Sequence, residues 1–152
     1  MATLRLREAV VRYTAARDAE GQPIAVQRQI LDSKLAESAF RALLGDSPVE
    51  IFGVLMLDNR RRVIAYHAVS MGTANSSYAI GRDVYRAAVA CNALSIICAH
   101  NHPSGDPTPS SDDVRVTAIL KDAGAILGIE LLDHLIIGEG AECYSFRQDG
   151  RL

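Results

Sequence analysis

The chain has 152 residues, 49% hydrophobic and 22% charged, a length and balance that fit one soluble globular domain spanning residues 1–152. Its net charge of −2 gives no global attraction to a phosphate backbone, and with no Trp and few aromatics no platform for stacking single-stranded bases is evident. Cys91, Cys98 and Cys143 are odd in number and include no Cys-x-x-Cys pair, which argues for free thiols in a reducing cytoplasm and against a disulfide framework. No apolar leader and no stretch of membrane-spanning length is present, so a cytoplasmic protein without membrane contact is expected.

Leu4, Leu6, Ala9-Val10-Val11 and Tyr13 suit an edge strand from Leu4 to Thr14, and Ala16 to Pro23 reads as a loop. Residues 1–25 thus form an N-terminal strand-and-loop extension. Val26 to Leu44 is expected to be helical, with Ile30, Leu31, Leu35, Ala39, Leu43 and Leu44 at helical spacing, ended by Gly45-Asp46-Ser47-Pro48. Val49 to Leu57 is an apolar strand interrupted chiefly by Glu50; Asp58-Asn59-Arg60-Arg61 turns it into a returning strand, Arg62 to Ser70. Gly72 to Ser77 is a polar loop. Arg82 to Ala93 is a helix with Val84, Ala87, Ala88 and Cys91 on one face. Ser95 to Ala99 is a short buried strand, followed by a Pro/Gly/Ser segment and a helix from about Ser111 to Leu127. Ile129 to Gly138 is a further strand, with a short one at Tyr144-Ser145-Phe146. This order indicates a mixed sheet flanked by helices.

The chemistry concentrates after the buried strand. His100 and His102 are two apart, so an extended backbone points both imidazoles to one side, where they can meet one metal ion. Pro103, Gly105, Pro107 and Pro109 limit the freedom of the next segment, and a stiff connection places ligands accurately. Ser110 stands where a helix N-cap belongs, with Asp113 three residues on. One reading is a capping box, in which the two side chains satisfy free helix amides. The other makes Asp113 a third metal ligand beside Ser110, whose hydroxyl could bond a developing oxyanion. The two readings compete for the same oxygens. Imidazole and carboxylate together suit zinc, and three protein ligands leave a position open, as in catalytic sites. Glu50, at the start of an apolar strand, is the candidate base, since apolar surroundings raise a carboxyl pKa towards neutrality; the other reading is a strand-edge glutamate facing water.

Glu50, His100-x-His102, Ser110 and Asp113 resemble the JAMM, or MPN+, metalloprotease signature. More closely, His-Asn-His-Pro-Ser-Gly-Asp-Pro-x-Pro-Ser-x-x-Asp from His100 to Asp113 is similar to the hallmark of the RadC-like JAB domain family. Gly72-Thr73 with Asn75-Ser76-Ser77, Leu132-Asp133-His134 and Tyr144-Ser145-Phe146 extend the likeness over a motif-bearing core at residues 49–150. The resemblance implies the α/β JAB/MPN fold, related to that of cytidine deaminases: a curved mixed sheet with helices around it. It also implies one Zn2+ per chain held by His100, His102 and Asp113, with Glu50 and Ser110 as catalytic residues of an amide or isopeptide hydrolase acting on a peptide or protein. Two features depart from the family. Ile80-Gly81-Arg82-Asp83 stands where a His-Pro-Arg-Glu element is usual, and the helix-hairpin-helix region of full-length relatives is not read in this sequence, so a short stand-alone form is expected.

A DNA-repair-associated accessory module with little or no proteolytic activity is the alternative. A nuclease or deaminase using the same zinc chemistry stays open on ligand chemistry alone, although the Pro-Cys-x-x-Cys element of zinc deaminases is missing. His134, inside an apolar strand, reads as a packed core histidine in preference to a group orienting a metal ligand. His67 reads as a strand surface residue, Cys98 as core, and Arg60-Arg61-Arg62 as a solvated hairpin tip.

Overall fold

A computed structural model describes residues 12–18, 21–26, 28–44, 46–71 and 77–152. Its elements run α1 (Ser33–Leu44), β1 (Ile51–Leu57), β2 (Val63–Met71), α2 (Ser77–Ala90), β3 (Ser95–Asn101), α3 (Ser111–Leu127), β4 (Glu130–Ile137) and β5 (Cys143–Ser145). The five strands form one mixed sheet in the order β2-β1-β3-β4-β5. Only the β3–β4 pairing is parallel, and α3 makes that crossover. The chain is thus an α/β protein of the expected kind.

Alternation along the strands divides the core between two faces. Phe52, Val54 and Met56 of β1, with Ile96 and Cys98 of β3, pack against Val84, Ala88, Val116 and Leu120 of α2 and α3. Leu55, Leu57, Ile97 and Ala99 pack on the other face against Ala36, Phe40 and Leu44 of α1. Both faces of β3 are covered, and all seven of its residues are buried. That is why its sequence reads as an unbroken apolar run up to His100.

One irregularity bears on function. Ile96 pairs with Leu131, but the next pair is Ile97 with Asp133, so Leu132 is an extra residue in β4. A one-residue bulge exchanges the faces of everything beyond it. Asp133 therefore reaches α1, accepting from Ser33 Oγ at 3.0 Å, and His134 turns towards α3, 2.7 Å from Thr117 Oγ1.

Several expected boundaries shift. The first helix begins at Ser33 and not at Val26, because the Asp32 carboxylate accepts from Leu35 N (2.8 Å) and caps it there. Ahead of it, Ile30 N donates to Arg61 O and Val63 N to Arg28 O, tying this stretch to the β1–β2 turn. Ile30 is buried by that pairing, whereas Leu31 is exposed. The second helix starts at Ser77, earlier than Arg82, and stops at Ala90, where Asn92 takes a left-handed conformation. The buried strand runs on to Asn101, and the last strand starts and ends one residue early, at Cys143 and Ser145. Most of the Leu4–Thr14 strand and of the Gly72–Ser77 loop lies outside the described residues; Arg12 to Thr14 are not strand. The cysteines are free thiols, with Cys98 fully buried as expected of a core residue. Among the described residues no helix is long and apolar enough to cross a membrane.

Candidate metal centre

Strand β3 places the first histidine. His100 shares a face with Ile96 and Cys98, is 1% exposed, and stacks on Phe52 with ring centroids 5.7 Å apart. His102 lies just past the strand end and stays partly exposed. Its amide donates to Ile137 O at 3.0 Å, so contact with β4 continues into the loop. Gly105, at φ +86°, donates to His102 O and accepts from Glu139 N, both at 2.9 Å. The loop and the β4–β5 turn approach so closely there that a Cβ on Gly138 would lie 2.5 Å from Gly105 O. Arg41 of α1 clamps the same turn, donating to Gly138 O at 3.1 Å and Glu142 O at 2.8 Å.

Helix α3 supplies the carboxylate. Ser110 is its N-cap, and the capping box is complete: Asp113 N donates to Ser110 Oγ at 3.2 Å, and Asp113 Oδ2 accepts from Ser110 N and Oγ at 2.7 Å each. The two carboxylate oxygens of Asp113 divide between the cap and the histidines. Oδ2 closes the cap, while Oδ1 lies 3.1 Å from His100 Nε2. His102 Nε2 is 3.0 Å from His100 Nε2 and 3.5 Å from Asp113 Oδ2. Partial burial pushes the Asp113 carboxyl up, but its contacts with His100 and then Ser110 outweigh it and hold the group well below the usual carboxylate range.

Protonation tests whether this set fits a metal. His102 Nδ1 is 2.8 Å from Asp106 O, which can only accept, so Nδ1 carries a hydrogen and Nε2 is the nitrogen left to a metal. The ionised Asp113 carboxylate is acceptor-only. One nitrogen or oxygen donor atom from each of His100, His102 and Asp113 lies within 4.8 Å of the others. A divalent cation satisfies such a convergence, and nitrogen with carboxylate oxygen suits zinc. Side-chain exposure of 18% at His102 and 13% at Asp113, against 1% at His100, leaves the cluster open on one side.

Glu50 stands apart from this contact set. It is exposed, one residue ahead of β1, and among the described residues no hydrogen bond or ion pair joins its carboxylate to the cluster. The apolar surroundings expected for it are absent there, because the strand and its burial begin one residue later. Its backbone is nevertheless held at the site. Asn101, between the two histidines, donates from Nδ2 to Val49 O (3.0 Å) and Ser47 O (3.2 Å), and its Oδ1 accepts from Ile51 N (2.8 Å). One buried side chain thus grips the residues on both sides of Glu50. In the antiparallel β1–β3 register Phe52 opposes His100, and continuing it two residues sets Glu50 opposite His102.

Sequence reasoning missed three supporting residues: Asn101, Asp106 and Thr117. His134 is the packed core histidine expected, fully buried and stacked on Phe146 at 5.1 Å, but it also touches the cluster: Nε2 is 3.0 Å from His100 Nδ1. Burial, then the neighbouring His100, hold its pKa well below the ordinary histidine value. Helical spacing could have found Thr117, four residues after Asp113 and so on the same side of α3.

Residues 30–151 match the family model described as RadC-like JAB domain. The chain is 53% identical over 91 residues to a UPF0758 protein of Caldanaerobacter subterraneus, covering 60% of this chain and 39% of that protein. To a UPF0758 protein of Pelobacter propionicus it is 47% identical over 113 residues, 74% of this chain and 49% of the relative. A UPF0758 protein of Thermotoga maritima is 46% identical over 103 residues, 68% and 46% of the two chains. The matched part is thus less than half the length of each of these relatives.

Proposed function

The chain belongs to the RadC-like JAB domain family, and from that premise we propose that it is a zinc-dependent hydrolase of amide or isopeptide bonds in a peptide or protein. The observation that carries this reading is the convergence of His100, His102 and Asp113 on one partly open point. These residues would hold one zinc per chain. Bound there, zinc would supply Lewis acidity to a carbonyl and lower the pKa of water to about 7.

Glu50 is the general base. It takes the proton of the water that attacks the carbonyl carbon, and returns it to the nitrogen as the C–N bond breaks. The Ser110 hydroxyl, at the exposed head of α3, turns from Asp113 to donate to the developing oxyanion. A cleft of about 590 Å³ opens beside His102, bordered by Arg41, Asp46, Ser104 and Glu139. Its polar walls suit an extended backbone, whose amides need partners.

The test is cleavage of a peptide library by the zinc-loaded chain and by Glu50→Gln. The expected result is cleavage by the native chain alone, with equal zinc in both. Equal cleavage by both removes Glu50 from its role. No cleavage by either, with salt-dependent DNA binding that survives Glu50→Gln, points instead to an accessory module.

A further inference from the structure

His134 lies wholly buried against His100 and takes no part in the chemistry above. Three successive contacts lead from His100 through it to the backbone. His100 Nδ1 is 3.0 Å from His134 Nε2, His134 Nδ1 is 2.7 Å from Thr117 Oγ1, and Thr117 Oγ1 is 2.7 Å from Asp113 O. The last contact sets its own direction and that of the one before it. A carbonyl only accepts, so the Thr117 hydroxyl hydrogen lies on Asp113 O, as is common for a threonine one helical turn on. Thr117 Oγ1 is then the acceptor for His134, and His134 Nδ1 carries a hydrogen.

His134 sits between the rings of Phe52 and Phe146, with centroids 5.3 and 5.1 Å away, and among the described residues no carboxylate bonds to its imidazole. Such surroundings favour the neutral imidazole, which has one N–H. Its Nε2 is therefore an acceptor, and His100 Nδ1 donates to it. His100 Nε2 keeps its lone pair, facing Asp113 Oδ1 at 3.1 Å and His102 Nε2 at 3.0 Å.

We propose that His134, anchored by Thr117, is a positioning residue that fixes His100 in the tautomer able to ligate a metal through Nε2. His102 gets the same service directly from Asp106 O. His100 lies inside the sheet between β1 and β4, where backbone carbonyls face along the ladders, so a side chain does the work. The bulge at Leu132 is what turns that side chain to the right face. The relay ends on the backbone of Asp113, so the geometry of one ligand is coupled to the tautomer of another. The purpose assigned to the relay rests on the zinc reading; its direction rests on hydrogen-bond geometry and on the aromatic packing around His134.

The experiment is two-bond proton–nitrogen correlation spectroscopy on the zinc-free chain with labelled imidazoles at neutral pH, with zinc titration alongside. In the native chain His134 is expected to show its hydrogen on Nδ1. Thr117→Val, which keeps shape and removes the acceptor, is expected to lose that pattern and weaken zinc binding about tenfold or more. Thr117→Ser is expected to restore both. A hydrogen on Nε2 of native His134 overturns the proposal, as does native zinc affinity in Thr117→Val. The native spectrum decides the direction by itself, so the proposal stays testable even if Thr117→Val does not fold. The expected spectrum in a chain that takes up no zinc overturns the hydrolase reading and supports the relay.

Discussion

Ser110 and Asp113 are joined by three hydrogen bonds, yet they use only one of the two Asp113 oxygens: Oδ2 accepts both Ser110 N and Oγ, and Oδ1 is left facing His100. Capping and ligation are therefore separable by mutation. Asp113→Asn keeps an acceptor for the cap and loses the charge, so zinc binding is expected to disappear while the fold survives. Ser110→Ala removes the cap and is expected to cost about 1 kcal/mol in chemical denaturation, with zinc still bound. Equal effects of the two changes on zinc would contradict the division of labour.

Asn101 should act on catalysis through Glu50. Asn101→Leu removes the bonds to Val49 O, Ser47 O and Ile51 N that bracket Glu50. Because a misplacement of about 1 Å can cost on the order of 100-fold in rate, kcat is expected to fall by that order while zinc stoichiometry holds. Parallel loss of zinc and activity would show that the side chain only maintains the fold of the ligand strand.

Gly138→Ala tests how the loop positions His102. The added Cβ meets Gly105 O, which must move, and Gly105 N is bonded to His102 O. Zinc affinity is expected to drop at least tenfold, as for loss of other supports around metal ligands. Isothermal titration measures it, and unchanged affinity would mean that the two loops move independently of the ligand.

The alkaline limb of stability has an identifiable contributor outside the site. Burial pushes the Tyr66 hydroxyl up to about 12, against about 10 in the unfolded chain. A raised folded value means that the stabilisation is fully present below pH about 10 and is lost as pH rises through about 12. Denaturant midpoints at pH 8, about 10 and about 11 are expected to fall less steeply for Tyr66→Phe than for the native chain. Parallel profiles would show that Tyr66 ionises as readily folded as unfolded.

Much of this was legible in the sequence because local rules were enough. The run from Ser95 into His100 is apolar because β3 is covered on both faces, and α3 spans Ser111 to Leu127 as its Ser110 cap and following Gly128 indicate. His100, His102 and Asp113 needed only strand alternation and a helix start. What stayed hidden depended on register. The role of His134 turns on the extra residue at Leu132, without which regular alternation would point it at α1. Asn101 was hidden in the same way, since its partners lie about 50 residues back along the chain. Glu50 was placed at a strand start by its apolar neighbours, but its exposure follows from pairing that begins only at Ile51.

The most direct measurement is the zinc content of the purified, folded chain, by elemental analysis and native mass spectrometry, beside His102→Ala. One tightly held zinc in the native chain and none in the variant is the expected result. A folded native chain that binds no zinc, or a variant that binds it equally well, would contradict a metal centre at His100, His102 and Asp113.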